Sequence, residues 1–237
     1  MQRQNAGTSS WEIYSSLLVR APIIVRADGR GFKKILADCT KPYSLDFARC
    51  MADCAMQLFL DSGLSPALAF TFSDEISLLF LEVPFAGRVE KIDSVLAGFL
   101  SAALSLSLGR LVSMDCRVIP VCRAEVSDYL AERQDETWRN HVFSYGFYML
   151  IEEGQTAAGA MQRLRGMRER DIHELVFGKG INLAKTPTWQ RRGVMVYRKN
   201  CQVVADWDLP LFRSKDGQSL LAELISGFEA DSKGSKG

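Results

Sequence analysis

Short apolar runs alternate with longer segments of helical period along the first half of this chain. Residues 21–26 (A-P-I-I-V-R) form a β-branched apolar run that reads as a buried strand, broken at Ala27-Asp28-Gly29-Arg30-Gly31. After Lys41-Pro42, Ser44 stands as an N-cap, and Leu45, Ala48, Met51, Ala55 and Leu58 recur at helical spacing until Gly63. Residues 67–72 and 76–81 read as two further strands. They are separated only by the polar Ser73-Asp74-Glu75, which predicts an antiparallel hairpin. A long apolar helix over 89–108 and a fourth strand over 117–121 complete the order β-α-β-β-α-β. That is the ferredoxin-like split motif, and it places the chain in the α+β class.

Beyond residue 122 the pattern changes. A helix is expected over 127–152, running through Trp138, Phe143, Tyr145, Phe147 and Tyr148, and its aromatic spacing fits core or subunit interface better than base stacking. A second helix is expected over 156–167, a strand pair over 194–197 and 202–205, and a short helix near 219–228. The Ser/Gly/Lys-rich end, 231–237, reads as disordered. The expected organisation is an N-terminal arm over 1–20, a catalytic core over 21–122, a basic helical and β-hairpin part of the same unit over 123–210, and a tail over 211–237.

Composition adds limits. With 237 residues, 47% apolar and 24% charged, the chain can bury a sizeable core as one large domain. Its net charge is +1, so any nucleic-acid site must come from local clustering. Such a cluster exists: residues 161–200 hold ten Lys/Arg against three Asp/Glu. Six cysteines without a C-x-x-C pair, and only His141 and His173, argue against zinc and for free thiols. Residues 94–109 are 16 consecutive uncharged positions, short of the roughly 20 that span a bilayer, so a buried core helix is expected and no membrane. With no signal peptide at the start, a reducing cytoplasm is the expected location.

The chemistry concentrates at two strand ends. In a split β-α-β-β-α-β sheet the first and third strands pair centrally, about 4.8 Å apart, which brings Asp28 and Asp74 to one sheet edge. Carboxylates that close repel unless a cation sits between them. Mg²⁺ suits hard oxygen ligands and substrate phosphates, and two such ions could clamp an in-line displacement. Gly29 and Gly31 permit a sharp turn that aims backbone N–H groups at phosphate, with Arg30, Lys33, Lys34 and Lys41 nearby in sequence. Taken singly, the Asp28-Gly29 pair is a common turn.

These residues resemble the tRNA-His guanylyltransferase family. Val25-Arg26-Ala27-Asp28-Gly29-Arg30-Gly31-Phe32 is similar to its R-x-D-G-R-x-F segment, Lys41-Pro42 to its K-P step, and Ser73-Asp74-Glu75-Ile76-Ser77 to S-D-E-x-S. Asp115-Cys116-Arg117-Val118 resembles D-x-R-V, and Tyr129-Leu130 with Arg133-Gln134 resembles Y-L-x-x-R-Q. Arg191-Arg192-Gly193 resembles a basic pair before a late strand. The resemblance implies a polymerase-type palm that adds nucleotides to a tRNA 5′ end. Activation of the 5′-phosphate by ATP or GTP is followed by attack of an incoming nucleotide's 3′-hydroxyl. It implies that Asp28, Gly29 and Asp74 bind two Mg²⁺ ions, that Glu75 supports them, and that residues Asp28 to Lys33, with Lys41, Ser73 and Asp74, bind the nucleoside triphosphate. It also implies a homotetramer.

Family members that mark tRNA-His carry H-I-N-N where this chain has Trp138-Arg139-Asn140-His141. A lysine expected near Asp171 is Ile172, and an acidic residue expected after Lys41-Pro42 is Ser44. The departures favour the family's like-protein branch, which resembles a template-dependent 3′–5′ repair enzyme for truncated tRNA. Expected tRNA contacts are Arg133, Asn140, Arg163, Arg165, Asn182, Lys185, Arg191 and Arg192, acting mainly on phosphates. The alternatives are tRNA-His guanylylation, a nucleotide cyclase, and a non-catalytic RNA-binding module.

Overall fold

The computed structural model describes residues 11–234, with side chains through residue 228. The arm expected over 1–20 is therefore described only from residue 11, and 235–237 of the expected disordered end lie outside the described residues. Strands β1 (Ile23–Gly29), β2 (Leu68–Phe72), β3 (Glu75–Phe80) and β4 (Met114–Pro120) alternate with helices α2 (Leu45–Asp61) and α3 (Val89–Leu108), after a single-turn α1 (Phe32–Ile35). The sheet order is β4-β1-β3-β2-β5-β6, every neighbouring pair antiparallel. The first four strands in that order are the ferredoxin-like arrangement the pattern predicts. β5 (Val194–Lys199) and β6 (Gln202–Asp206) extend the same sheet beyond β2.

The sheet carries a core on each face. Ile23, Val25 and Ala27 point to the side covered by α2 and α3, where Met51, Leu58, Ile92 and Leu100 are buried. Ile24, Phe70 and Leu79 point to the other side, against Leu130 of α4 (Val126–Glu152) and Leu221 of α8 (Lys215–Gly234). Burial on both sides explains why the central strands read as continuous apolar runs. The far half of α4 leaves the sheet and packs with α5 (Ala157–Leu164) and α6 (Glu169–Phe177) around Val142, Leu150 and Val176. Gln134 fastens the joint, accepting from Phe212 N and donating to the carbonyls of Arg192 and Pro210.

Ser44 caps α2, its hydroxyl accepting from Phe47 N at 3.3 Å. Several expectations shift. β1 runs on through Asp28 and Gly29, so Asp28 is a paired strand residue, not part of a break. β4 begins at Met114, three residues earlier than expected. α8 is longer than the short helix expected, and α6 and a five-residue α7 (Thr188–Arg192) were not foreseen. α3 is long and apolar enough to cross a membrane by length and composition alone. It is a surface helix of the domain, not a fully buried one: Ile92, Leu96, Leu100, Ala103 and Leu104 form its buried stripe, and Leu106 is exposed. All six cysteines are free thiols.

Candidate active site

The register of the sheet sets the site. Asp28 stands opposite Glu75 on β3 and opposite Asp115 on β4. The turn between β2 and β3 then brings Asp74 alongside: Gly29 N donates to Asp74 O at 3.0 Å, so the end of β1 and this turn are tied by backbone. Ser73 adopts φ 53° and turns its hydroxyl onto Asp74 Oδ1 at 3.2 Å. Arg30 N donates to Ser113 O at 2.9 Å, fixing the far side of the loop. Gly31, at φ 70°, makes the left-handed turn into α1 that a side chain would strain. A Cβ on Gly29 would lie 2.4 Å from the Phe32 ring, which is buried against Phe47.

The carboxylates have different partners. Glu75 is held by Arg133 of α4 through two bonds of 2.9 and 2.7 Å, and Ser77 Oγ adds a third at 3.3 Å. Asp28 Oδ2 lies 2.8 Å from Arg117 and 3.4 Å from Arg26. Among the described residues Asp74 has no such partner. Burial raises its pKa, Ser73 and its own backbone oppose that shift, and the charge of Asp28 adds to it. Burial also raises the pKa of Glu75, and Arg133 counters it.

A cation fits here. Asp74 is a half-buried carboxylate whose charge no cationic side chain among the described residues offsets, beside a second carboxylate, and all the donors are hard oxygens. Among the described residues no three His, Cys, Asp or Glu are grouped to hold a metal by themselves, so substrate phosphates would have to complete the shell.

Two cavities flank Ser73. One, of about 120 Å³, is lined by Asp28, Asp74, Glu75, Arg133 and Asn140. The other, of about 260 Å³, is lined by Lys33, Lys41, Ser73 and the aromatic rings of Tyr43, Phe72, Tyr148 and Trp189. Lys41 Nζ donates to the Leu36 carbonyl and sits 5.4 Å over the Tyr148 ring. The sequence pattern did not single out Tyr43 or Trp189, since nothing in their spacing points to the cleft that folding builds.

The residues expected to meet RNA are dispersed. Asn140 and Arg133 line the smaller cavity, whereas Arg163, Arg165 and Lys185 are exposed and line neither cavity. Asn182 caps a short turn, accepting from Ala184 N. Arg191 donates to Thr186 O and Arg192 to Leu209 O, so both guanidinia brace the loops around α7. Of the aromatic run in α4, Phe143, Tyr145 and Phe147 pack against the far-end cluster, while Tyr148 lines the larger cavity.

Residues 7–129 match the model of the family described as tRNAHis guanylyltransferase, and residues 124–223 match that of its C-terminal domain. The chain belongs to the tRNA(His) guanylyltransferase family. It is thus a nucleotidyltransferase by family. A probable tRNA(His) guanylyltransferase of Drosophila melanogaster is 30% identical over 80% of this chain and 71% of its own length. The Saccharomyces cerevisiae tRNA(His) guanylyltransferase is 27% identical over 80% and 87%. The chain spans only 38% of the length of tRNA(His) guanylyltransferase 1 of Arabidopsis thaliana, to which it is 26% identical. Among solved structures, a bacterial tRNA(His) guanylyltransferase-like protein in complex with ATP superposes with a TM-score of 0.76 at 25% identity, covering 87% of this chain and 92% of that one. The Saccharomyces cerevisiae enzyme gives 0.67 at 23%, a likeness of fold.

Proposed function

We propose that this member of the family adds nucleotides to the 5′ end of truncated tRNA in the 3′–5′ direction, choosing each by pairing to the opposite strand of the acceptor stem. The observation that carries this reading is the environment of Trp138-Arg139-Asn140-His141. His141 is fully buried, stacked between Trp138 and Tyr43, with Nε2 3.0 Å from Thr186 Oγ1. Burial, reinforced by Arg191, lowers its pKa to about 4, so it is a neutral core residue at physiological pH. Trp138 is tied to Glu169 at 2.5 Å, and Arg139 to Glu136. Only Asn140 of this stretch lines the cavity with Asp28. A segment spent on packing and surface pairs is a poor reader of one particular tRNA. Template pairing needs no such reader.

In this reading Asp28, Asp74 and the Gly29 carbonyl would hold Mg²⁺, which neutralises phosphate charge and aligns the displacement when bound. The turn from Gly29 to Lys33 and the side chains of Lys33, Lys41 and Ser73 would bind the triphosphate. The aromatic cleft of Tyr43, Phe72, Tyr148 and Trp189 offers ring faces to its base. A 5′-monophosphate is first activated by ATP or GTP with loss of pyrophosphate. The 3′-oxygen of the incoming nucleotide then bonds to the activated 5′-phosphorus as the bond to the activating nucleotide breaks. Arg133 and Glu75 would position Asp28 and Asp74 rather than share in bond making. A homotetrameric assembly belongs to the same proposal, with sedimentation as its readout.

The second reading, addition of G to tRNA-His, is favoured by the names of the relatives above. Two transcripts separate the two: one lacking its 5′ nucleotide, and one full-length tRNA-His. Each is incubated with the protein, Mg²⁺, ATP and labelled nucleotides. Restoration of the truncated transcript according to the template base supports repair. Addition of G to tRNA-His alone overturns it in favour of the second reading, and no addition to either removes both.

A further inference from the structure

The edge strand β4 brings two charged residues beside Asp28. Asp115 stands opposite Asp28, and Arg117 opposite Arg26. Glu75 stands opposite Asp28 on the other side. Directly opposed residues of an antiparallel pair project from one face, about 4.5–5.5 Å apart at Cβ. Asp115, Asp28 and Glu75 therefore form one row of carboxylates across three strands, with two arginines in the next row. Like charges so placed repel, and guanidinia relieve them in two different ways. Arg133 commits both its contacts to Glu75, in a pair whose side chains are only 23% and 17% exposed. Arg117 divides itself: one nitrogen, Nη2, lies 2.8 Å from Asp28 Oδ2 and 3.0 Å from Asp115 Oδ1. Arg117 and Asp115 are half exposed, at 50% and 49%, so the guanidinium has room to pivot toward the outer carboxylate.

That sharing bears on the divalent ion. Asp28 offers two oxygens, and Arg117 uses one of them. An ion taking Asp28 must divide the carboxylate with a positive charge or displace it, and Asp115 is the acceptor waiting alongside.

We propose that Arg117 is a positioning residue of this site: a guanidinium that competes with the divalent ion for Asp28, and that Asp115 draws aside so that the ion can bind. The proposal rests on the reading of Asp28 and Asp74 as metal ligands. It makes two consequences of opposite sign. Replacing Arg117 leaves Asp28 only the longer contact to Arg26 and removes a positive charge beside the ion, so the ion binds more tightly. Neutralising Asp115 leaves Arg117 with Asp28 as its only carboxylate partner of the two, so the ion binds more weakly. A merely structural role for the pair weakens binding in both variants.

The test is Mn²⁺ binding to the whole chain, without nucleotide or RNA, followed by the electron paramagnetic resonance signal of free Mn²⁺. Arg117→Gln is expected to lower the Kd about three- to tenfold, and Asp115→Asn to raise it by a similar factor. Arg117→Lys keeps the charge and is expected to stay near wild type, which guards against a Gln variant that folds poorly. Weakening in both Arg117→Gln and Asp115→Asn, no change in either, or tightening by Arg117→Lys equal to that by Arg117→Gln overturns the proposal and leaves the metal site standing. Failure of the wild-type chain to bind Mn²⁺ at all, or binding unaffected by Asp28→Asn and Asp74→Asn, overturns the metal reading itself.

Discussion

Arg133 clasps Glu75 with Nε at 2.9 Å from Oε1 and Nη2 at 2.7 Å from Oε2, and so pins helix α4 to the sheet one residue from Asp74. The pair lies at the floor of the cavity that Asp28 and Asp74 share. Arg133→Ala leaves a carboxylate inside that cavity without its main partner, and is expected to cost about 1–3 kcal/mol of stability. Adding Glu75→Gln to Arg133→Ala removes the orphaned charge and should recover part of the loss. Urea titrations of the two single variants and the double variant measure the coupling. Strict additivity would mean that the clasp contributes nothing.

Asp28→Ala and Asp74→Ala are expected to abolish nucleotide addition while leaving tRNA affinity largely unchanged, because they would hold metal rather than RNA. Gel-based addition assays and filter binding measure the two properties separately. Full activity in either variant would remove the two-carboxylate site.

Asp74→Asn should stabilise the chain measured without divalent ions. Burial raises the folded pKa of Asp74, so the folded protein bears a cost whenever that carboxylate is ionised. The sign follows: the cost is full above the folded pKa, and it is relieved as pH falls through that value and then below the unfolded one. The advantage of Asn, about 1–3 °C in Tm near neutrality, is therefore expected to shrink on acidification. Scanning calorimetry at pH 7.5 and below pH 4 tests it, and a gap that widens in acid would refute the assignment.

Binding of a nucleoside triphosphate in the aromatic cleft should change the fluorescence of Trp189, which lines it beside Lys41 and Ser73. Titration of wild type and Trp189→Phe with ATP or GTP reads this. Loss of the response in Trp189→Phe would assign the signal to Trp189, and no response in the wild type would place the base elsewhere.

Charge reversal at Arg163 and Arg165 is the clean probe of the basic face, since both are exposed. It should weaken tRNA binding and flatten its salt dependence. Reversal at Arg191 or Arg192 should in addition lower Tm, because those guanidinia hold the Thr186 and Leu209 carbonyls. Unchanged binding across a salt titration would take α5 off the RNA surface.

Sequence pattern located the parts of this site that lie on local geometry. Asp28 and Asp74 sit where a strand ends and a hairpin turns, and β-branched runs with a short polar break announce both places. Ser44 was legible for the same reason, as a hydroxyl just ahead of a helical period. What could not be read is what distant segments assemble. Arg117 meets Asp28 only through the β4–β1 register, and Tyr43 meets Trp189 only because residues far apart in the chain line one cleft. Helix α7 escaped because five residues give too few turns for a period to emerge. For α3, composition suggested full burial, yet only one stripe is covered.

Helix α4 runs unbroken for 27 residues, about 40 Å at 1.5 Å per residue. Its first half is packed on the sheet and its second half is wrapped by α5 and α6. The chain is thus built like a jig: one continuous beam borders the candidate site through Arg133, Glu136 and Asn140 and carries α5 and α6 on its second half. The offset between them is set by helical rise instead of by a hinge. A molecule held by α5 and α6 would be presented to Asp28 at a fixed standoff, so its own dimensions would decide whether it reaches.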